Sequence, residues 1–208
     1  MIYHSTRDEK LTAAPTRAVL EGIAPDGGLY VCDPGKLDFD WQGTLQKDTM
    51  SMAADILGAL LPDFQDMNGL VRASYAGKFA SDDLTPLVPV GERYVLELYH
   101  GPTSAFKDVA LSVLPRLVSA AAKQEGAGDV VILTATSGDT GKAALEGFHD
   151  VPGTRIMVFY PAGGVSPVQE AQMVTQEGGN VRVCAIRGNF DDAQTGVKNV
   201  FAACKGKD

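Results

Sequence analysis

Beyond Pro86 the chain repeats one pattern, and that pattern constrains the fold more than any other feature: a short apolar run, a turn, then a stretch with helical periodicity. Tyr94–Leu98, Val130–Leu133, Ile156–Phe159 and Val181–Ile186 read as strands. Helices are predicted over Ala105–Lys123 (with Pro115 inside it), Asp139–Phe148, Pro167–Gln176 and Asp191–Ala203. Apolar strands that alternate with helices make βαβ units, whose parallel sheet is covered by helices on both faces. The class is α/β. In such sheets ligands sit beyond the carboxyl ends of the strands, where loops enter helices.

The first 80 or so residues differ in texture. Thr16–Gly22 reads as a short helix ended by a glycine free to take positive φ, and Leu29–Cys32 as a strand stopped by Asp33-Pro34. From Asp48 an amphipathic helix places Met52, Ile56, Leu57, Leu60 and Leu61 on one face until Pro62 ends it; a second helix covers Gln65–Gly77. These features predict a small, mostly helical module over residues 1–84, followed by an α/β unit over 85–208. At roughly 150 residues per domain, the 208 residues suit that division.

Charge and cysteine usage exclude several classes. Net charge is −8, and no Lys/Arg-rich run offers a nucleic-acid stripe. No stretch approaches about 20 consecutive apolar residues, so no membrane span is expected. The opening MIYHSTRDEK lacks the apolar core of a secretory signal. Cys32, Cys184 and Cys204 are widely spaced and odd in number, which gives neither a disulfide framework nor a metal pair. His4, His100 and His149 lack metal-ligand spacing, so no metal is expected. A cytoplasmic protein is the expectation.

Two loops stand out. The first is His100-Gly101-Pro102-Thr103-Ser104-Ala105-Phe106-Lys107-Asp108. With Thr103 or Ser104 as N-cap, Lys107 falls in the first helical turn, where unpaired N–H groups disfavour a cation. That field, with partial burial by Phe106 and Val109–Leu111, favours a neutral amine, the form that Schiff-base chemistry requires. The same residues also suit a surface lysine paired with Asp108 or Glu97, and the local sequence leaves both open.

The second loop, Thr134-Ala135-Thr136-Ser137-Gly138-Asp139-Thr140-Gly141-Lys142, carries a strand into a helix through a turn rich in hydroxyls and glycine. Backbone N–H groups at such a start can cradle an anion, or the segment is a plain capped helix start. It is not a Walker A loop, which needs glycine where Thr136 stands and Ser/Thr where Ala143 stands. Nor is it a nucleophile elbow around Ser137, since Ala135 and Asp139 occupy the glycine positions. A third junction, Tyr160-Pro161-Ala162-Gly163-Gly164, reads as a turn.

Five segments then carry a resemblance, in chain order: YHSTR at 3–7 with GIAPDGGLYV at 22–31, HGPTSAFKDV at 100–109, TATSGDTGKAA at 134–144, YPAGGVSPVQEAQM at 160–173 and GGNVRVCAIRGNFDDAQ at 178–194. They resemble the threonine synthase family, pyridoxal 5'-phosphate (PLP) enzymes of fold type II, the tryptophan-synthase-β-like fold. The resemblance implies that Lys107 holds the cofactor and shuttles protons, with Phe106 and Asp139 beside the cofactor. It implies that Thr103, Ser137, Gly138, Asp139 and Thr140 face the substrate. Many fold-type-II enzymes have Asn where Asp139 stands; Asp also occurs among threonine synthases.

The implied reaction converts O-phospho-L-homoserine and water to L-threonine and phosphate, in a monomer or homodimer. In the family, the glycine-rich loop for the cofactor phosphate and the residue facing the pyridine nitrogen come later in the chain. The expectation is therefore an N-terminal portion of such an enzyme. A non-catalytic threonine-synthase-like interaction protein and a different fold-type-II lyase, such as a dehydratase, are the alternatives.

Overall fold

The architecture was taken from a computed structural model that describes residues 1–37 and 39–204. The N-terminal part opens with three short strands, β1 (Tyr3–Ser5), β2 (Thr12–Ala13) and β3 (Tyr30–Val31), in an antiparallel sheet of order β2-β1-β3. Only the segment of β3 was expected from sequence; β1 and β2 are too short to show a period. Helix α1 (Pro15–Glu21) begins with Pro15, whose missing N–H costs nothing in a first turn, and ends at Gly22 with φ of +68°. A 3-10 turn at Pro34–Lys36 and the one-turn α2 (Trp41–Thr44) lead to α3 (Thr49–Leu60) and α4 (Met67–Tyr75). Asp48 and Asp66 cap α3 and α4 through the backbone N–H groups of Ser51 and Gly69, both at 3.0 Å.

The face of α3 differs from the expected one. Met50, Ala53, Ala54, Leu57, Leu60 and Leu61 pack inward, and Ile56 is 40% exposed. Two alanines, which weigh little in a hydrophobic pattern, let this helix come close to its neighbours and set the rotation. Ala54, Leu61, Phe64, Met67, Val71, Tyr75 and Leu84 form a first core with Val113, Leu117 and Ala121 of the next long helix. Each large side chain so buried contributes about 1.5–3 kcal/mol.

The strand predicted at Tyr94–Leu98 is real over β5 (Arg93–Leu96), but it does not join the parallel sheet. It pairs antiparallel with β4 (Leu87–Val90) in a two-stranded hairpin, in register Leu87↔Leu96 to Val90↔Arg93. The two-residue connection at Gly91-Glu92 favours a local hairpin over a crossover. Its side chains stay open to solvent on both faces.

Helix α5 (Asp108–Gln124) leads to a three-stranded parallel sheet of order β6-β7-β8, made of β6 (Val130–Ala135), β7 (Thr154–Pro161) and β8 (Val181–Ile186). Helices α6 (Asp139–Phe148), α7 (Pro167–Val174) and α8 (Phe190–Cys204) alternate with the strands. The predicted βαβ order holds, with three strands in place of four. Ile156, Val158 and Tyr160 of β7 and Val181 of β8 pack with Ala144, Leu145 and Phe148 of α6 and Met173 of α7, with Leu111 of α5 alongside. Helix α8 lies against β6 and β7 as well.

Helix α5 thus belongs to both cores. Pro115 has no N–H to return to the Leu111 carbonyl. At that carbonyl α6 comes close: a Cβ on Gly147 would lie 1.9 Å from the Leu111 oxygen. Further along, Ser119 Oγ donates to the Pro152 carbonyl at 2.7 Å. Pro152 lies just beyond the C-terminus of α6, so the contacts advance in the same sense along α5 and the α6 segment, and the two N-termini lie towards the carboxyl end of the intervening strand β6. Among the described residues no helix is long and apolar enough to cross a membrane.

Candidate active site

The segment between β5 and α5 is built from two tight turns. Ser104 N–H donates to the Gly101 carbonyl at 3.1 Å, and Asp108 N–H to the Ala105 carbonyl at 3.0 Å. Ser104 takes φ of +59°, uncommon for a residue with a Cβ. These turns consume the residues expected to begin the helix. Helix α5 therefore starts at Asp108, and Lys107 is its N-cap, one position before the first turn in which sequence placed it. Thr103 does not cap; its hydroxyl donates to Asp108 Oδ1 at 2.6 Å, and its N–H to Asp108 Oδ2 at 2.8 Å.

Lys107 is half-buried, and its Nζ stands 4.1 Å over the centre of the Phe106 ring. Phe106 itself is 59% exposed, so it gives the amine an aromatic face to rest on and does not enclose it as expected. Neither carboxylate proposed as a partner takes the amine. Asp108 is committed to Thr103, and Glu97 Oε2 lies 2.7 Å from His100 Nε2. His100, then the Tyr99 hydroxyl, holds the Glu97 carboxyl below the usual carboxylate range. The Tyr99 ring stacks on His100 at 4.7 Å. From the first core, the Tyr75 hydroxyl donates to the Val109 carbonyl at 2.8 Å, and burial pushes that phenol up to about 12.

The second loop has one organiser, Thr136, only 2% exposed. Its Oγ1 accepts from Gly138 N–H at 3.0 Å and Gly141 N–H at 2.9 Å, and donates to the Gly138 carbonyl at 3.2 Å. That arrangement turns the chain out of β6 into α6 and leaves the N–H groups of Asp139 and Thr140, the first two helical residues, without a partner among the described residues. Ser137 is exposed, Gly138 is buried at the N-cap and Thr140 is half-buried. Asp139 Oδ1 accepts from Gln169 Nε2 of α7 at 2.7 Å. Gln169 is itself fixed by the Ser166 capping box.

The structure therefore brings Lys107 and the 137–140 loop to the same side, at the carboxyl end of β6, with Phe106 next to the amine. It binds Thr103 into the lysine loop instead of leaving its hydroxyl free to donate. Sequence reading missed three organising groups. Asp108 figured only as a possible partner of Lys107, Thr136 only in excluding a Walker A loop, and Gln169 without a role. A threonine ending an apolar strand was the one available signal.

Comparisons with known proteins point one way. Residues 2–88 match the family described as "Threonine synthase N terminus". The threonine synthase of Pseudomonas aeruginosa is 39% identical across 97% of the chain and 44% of that protein. The enzyme of Saccharomyces cerevisiae is 35% identical across 96% of the chain and 43% of its own length. Among solved structures, PLP-bound threonine synthase from Brucella melitensis superposes with a TM-score of 0.89 at 39% identity, over 97% of the chain and 44% of that structure. The chain spans about two-fifths of the length of the curated relatives it matches.

Proposed function

We propose, from the premise that this chain corresponds in sequence and fold to the N-terminal portion of threonine synthases, that it carries the lysine side of a PLP site serving conversion of O-phospho-L-homoserine and water to L-threonine and phosphate. The observation that carries this reading is Lys107. The residue is half-buried, its amine is free of the two nearby carboxylates, and it begins a helix that opens on the same side as α6.

The donor set fits the cofactor's aldehyde end and an anionic substrate. Lys107 Nζ is the primary amine that an aldehyde requires. The free N–H groups of Asp139 and Thr140, with the Ser137 and Thr140 hydroxyls, suit a substrate carboxylate at a helix N-terminus. Gln169 keeps the Asp139 carboxylate turned aside from those N–H groups, so it does not compete for them. The cofactor's phosphate and ring nitrogen are assigned to the part of the relatives that this chain does not match. When bound, the pyridoxal group supplies an electron sink for carbanions.

The chain's own work is to move protons and hold the substrate. Lys107 Nζ would take the proton from substrate Cα and release it, then take one from Cβ as phosphate leaves Cγ and return that proton at Cγ. The hydroxyl of water then adds at Cβ, its remaining proton going to phosphate, and a proton returns to Cα through Lys107. Phe106 shields one side of the amine, and the 137–140 loop fixes the carboxylate so that Cα faces Nζ. The same reading divides the chain into 1–84 and 85–208, with α5 as the helix the two parts share.

The test is chemical labelling. The purified chain is treated with PLP, fixed with borohydride and mapped by mass spectrometry. Lys107 is expected to carry most of the pyridoxyl label, and Lys107→Ala to lose it. Equal labelling of all exposed lysines sinks the assignment. For the reaction, a preparation that also contains the unmatched portion of a relative should release phosphate from O-phosphohomoserine faster than from other phosphorylated amino acids. Faster release from another substrate would mark a different lyase.

A further inference from the structure

We infer that Asp108 is a positioning residue for Lys107, holding the lysine loop in the shape that presents the amine; this rests on the reading of Lys107 given above. Asp108 is 2% exposed, so its carboxyl group has been taken out of water and needs hydrogen-bond partners. Among the described residues, both hydrogen bonds of its carboxylate run back into the lysine loop, from Thr103 N–H at 2.8 Å and Thr103 Oγ1 at 2.6 Å. The N-terminal N–H groups of α5 add a favourable field for the negative charge. Neither bond reaches β-sheet, α4 or α6. The carboxylate therefore ties the loop to its own helix, and does not tie one core to another.

The loop is shaped around that group. A Cβ on Gly101 would lie 2.4 Å from Asp108 Oδ2 and 2.5 Å from Asp108 Cβ, so the turn closes directly against the carboxyl. Ser104 holds positive φ in the same turn, a conformation that persists only where surrounding contacts enforce it. Lys107 is the residue before the anchor. Its backbone (φ −69°, ψ −16°) sits between the Asp108 N–H bonded to Ala105 and its own carbonyl bonded to Leu111 N–H at 2.8 Å. Loss of the carboxylate bonds releases the 101–104 turn, and with it the direction in which the four-carbon stem of Lys107 leaves the helix.

The experiment uses the 208-residue chain with PLP as probe and borohydride to fix the product. Lys123, in the last turn of α5, serves as internal reference. The Lys107:Lys123 labelling ratio is expected to fall about tenfold in Asp108→Asn and about threefold in Thr103→Val, and to be retained in Thr103→Ser, which keeps the hydroxyl. Circular dichroism establishes that each variant is folded; if Asp108→Asn is not, the Thr103 pair decides. A purely structural role lowers melting temperature while leaving the ratio unchanged. An unchanged or higher ratio in the folded variants, or equal ratios in Thr103→Val and Thr103→Ser, overturns the inference. A wild-type chain with no preference for Lys107 instead overturns the functional reading itself.

Discussion

The loops that open α5 and α6 solve the same problem in opposite directions. In the first, the anchor belongs to the helix and reaches back: Asp108 gathers Thr103. In the second, the anchor directly follows the strand and reaches forward: Thr136 gathers Gly138 and Gly141. One loop presents a cation resting on an aromatic ring, the other two backbone N–H groups with no partner among the described residues. The difference teaches where tolerance lies. The first anchor serves a single residue, Thr103, whereas one hydroxyl that accepts from two buried N–H groups has few substitutes.

The comparison can be broken at the contact that fixes the two helices relative to each other. Gly147→Ala puts a methyl 1.9 Å from the Leu111 carbonyl, and overpacking against backbone is expected to cost about 3–4 kcal/mol in urea unfolding. A change below about 1 kcal/mol would mean that the helices slide freely. Thr136→Val comes next. It leaves the buried Gly138 N–H unpaired and Gly141 N–H with only the Gly138 carbonyl at 3.1 Å, an expected loss of about 1–3 kcal/mol by the same measurement. Thr136→Ser, keeping the hydroxyl, should recover most of it.

Acid should separate the loops. Glu97 has its folded-state pKa depressed by His100 and Tyr99, so the stability it contributes is present above its unfolded pKa and is lost as pH falls through the lower folded value. Asp26, depressed by the Gly28 N–H and Ser5 hydroxyl, behaves in the same way. Hydrogen exchange between pH 6 and 3 should therefore show the 97–104 segment opening with acid while Gly138 and Gly141, held by a hydroxyl, keep their protection. Equal loss in both loops would remove the distinction. The smallest effect is expected for Gln169→Ala: an exposed side-chain bond to Asp139 is worth about 0.5 kcal/mol or less, yet it frees the Asp139 carboxylate to compete with an anion at the α6 N-terminus. Weaker carboxylate binding without a measurable change in melting temperature would sharpen the assignment of that loop.

Much of this was legible beforehand. The bounds of α6 and the strand core of β6 through β8 follow from apolar runs and a glycine-rich turn, because those elements obey simple periods. What periodicity could not supply was pairing: the strand at Arg93–Leu96 has the composition of a buried strand, and only its neighbour Leu87–Val90 makes it a hairpin. The start of α5 was misread for a related reason. Thr103 and Ser104 are good capping residues by type, but the buried Asp108 claims Thr103, and the turn puts Ser104 in the left-handed region. The candidate site was legible in its residue types and in its resemblance to the family. The anchors were not, since a contact five residues back across a turn leaves no repeating mark.

Helix α5 has one more consequence. It gives Val113, Leu117 and Ala121 to one core and Leu111 to the other, so neither core can melt without stripping a face from the helix that begins next to Lys107. Unfolding should be cooperative across the whole chain, with a single transition and slowest exchange in the middle of α5. A substitution as distant as Val71 or Phe64 would then be felt as a lowered working population of the amine, although nothing near the amine had changed.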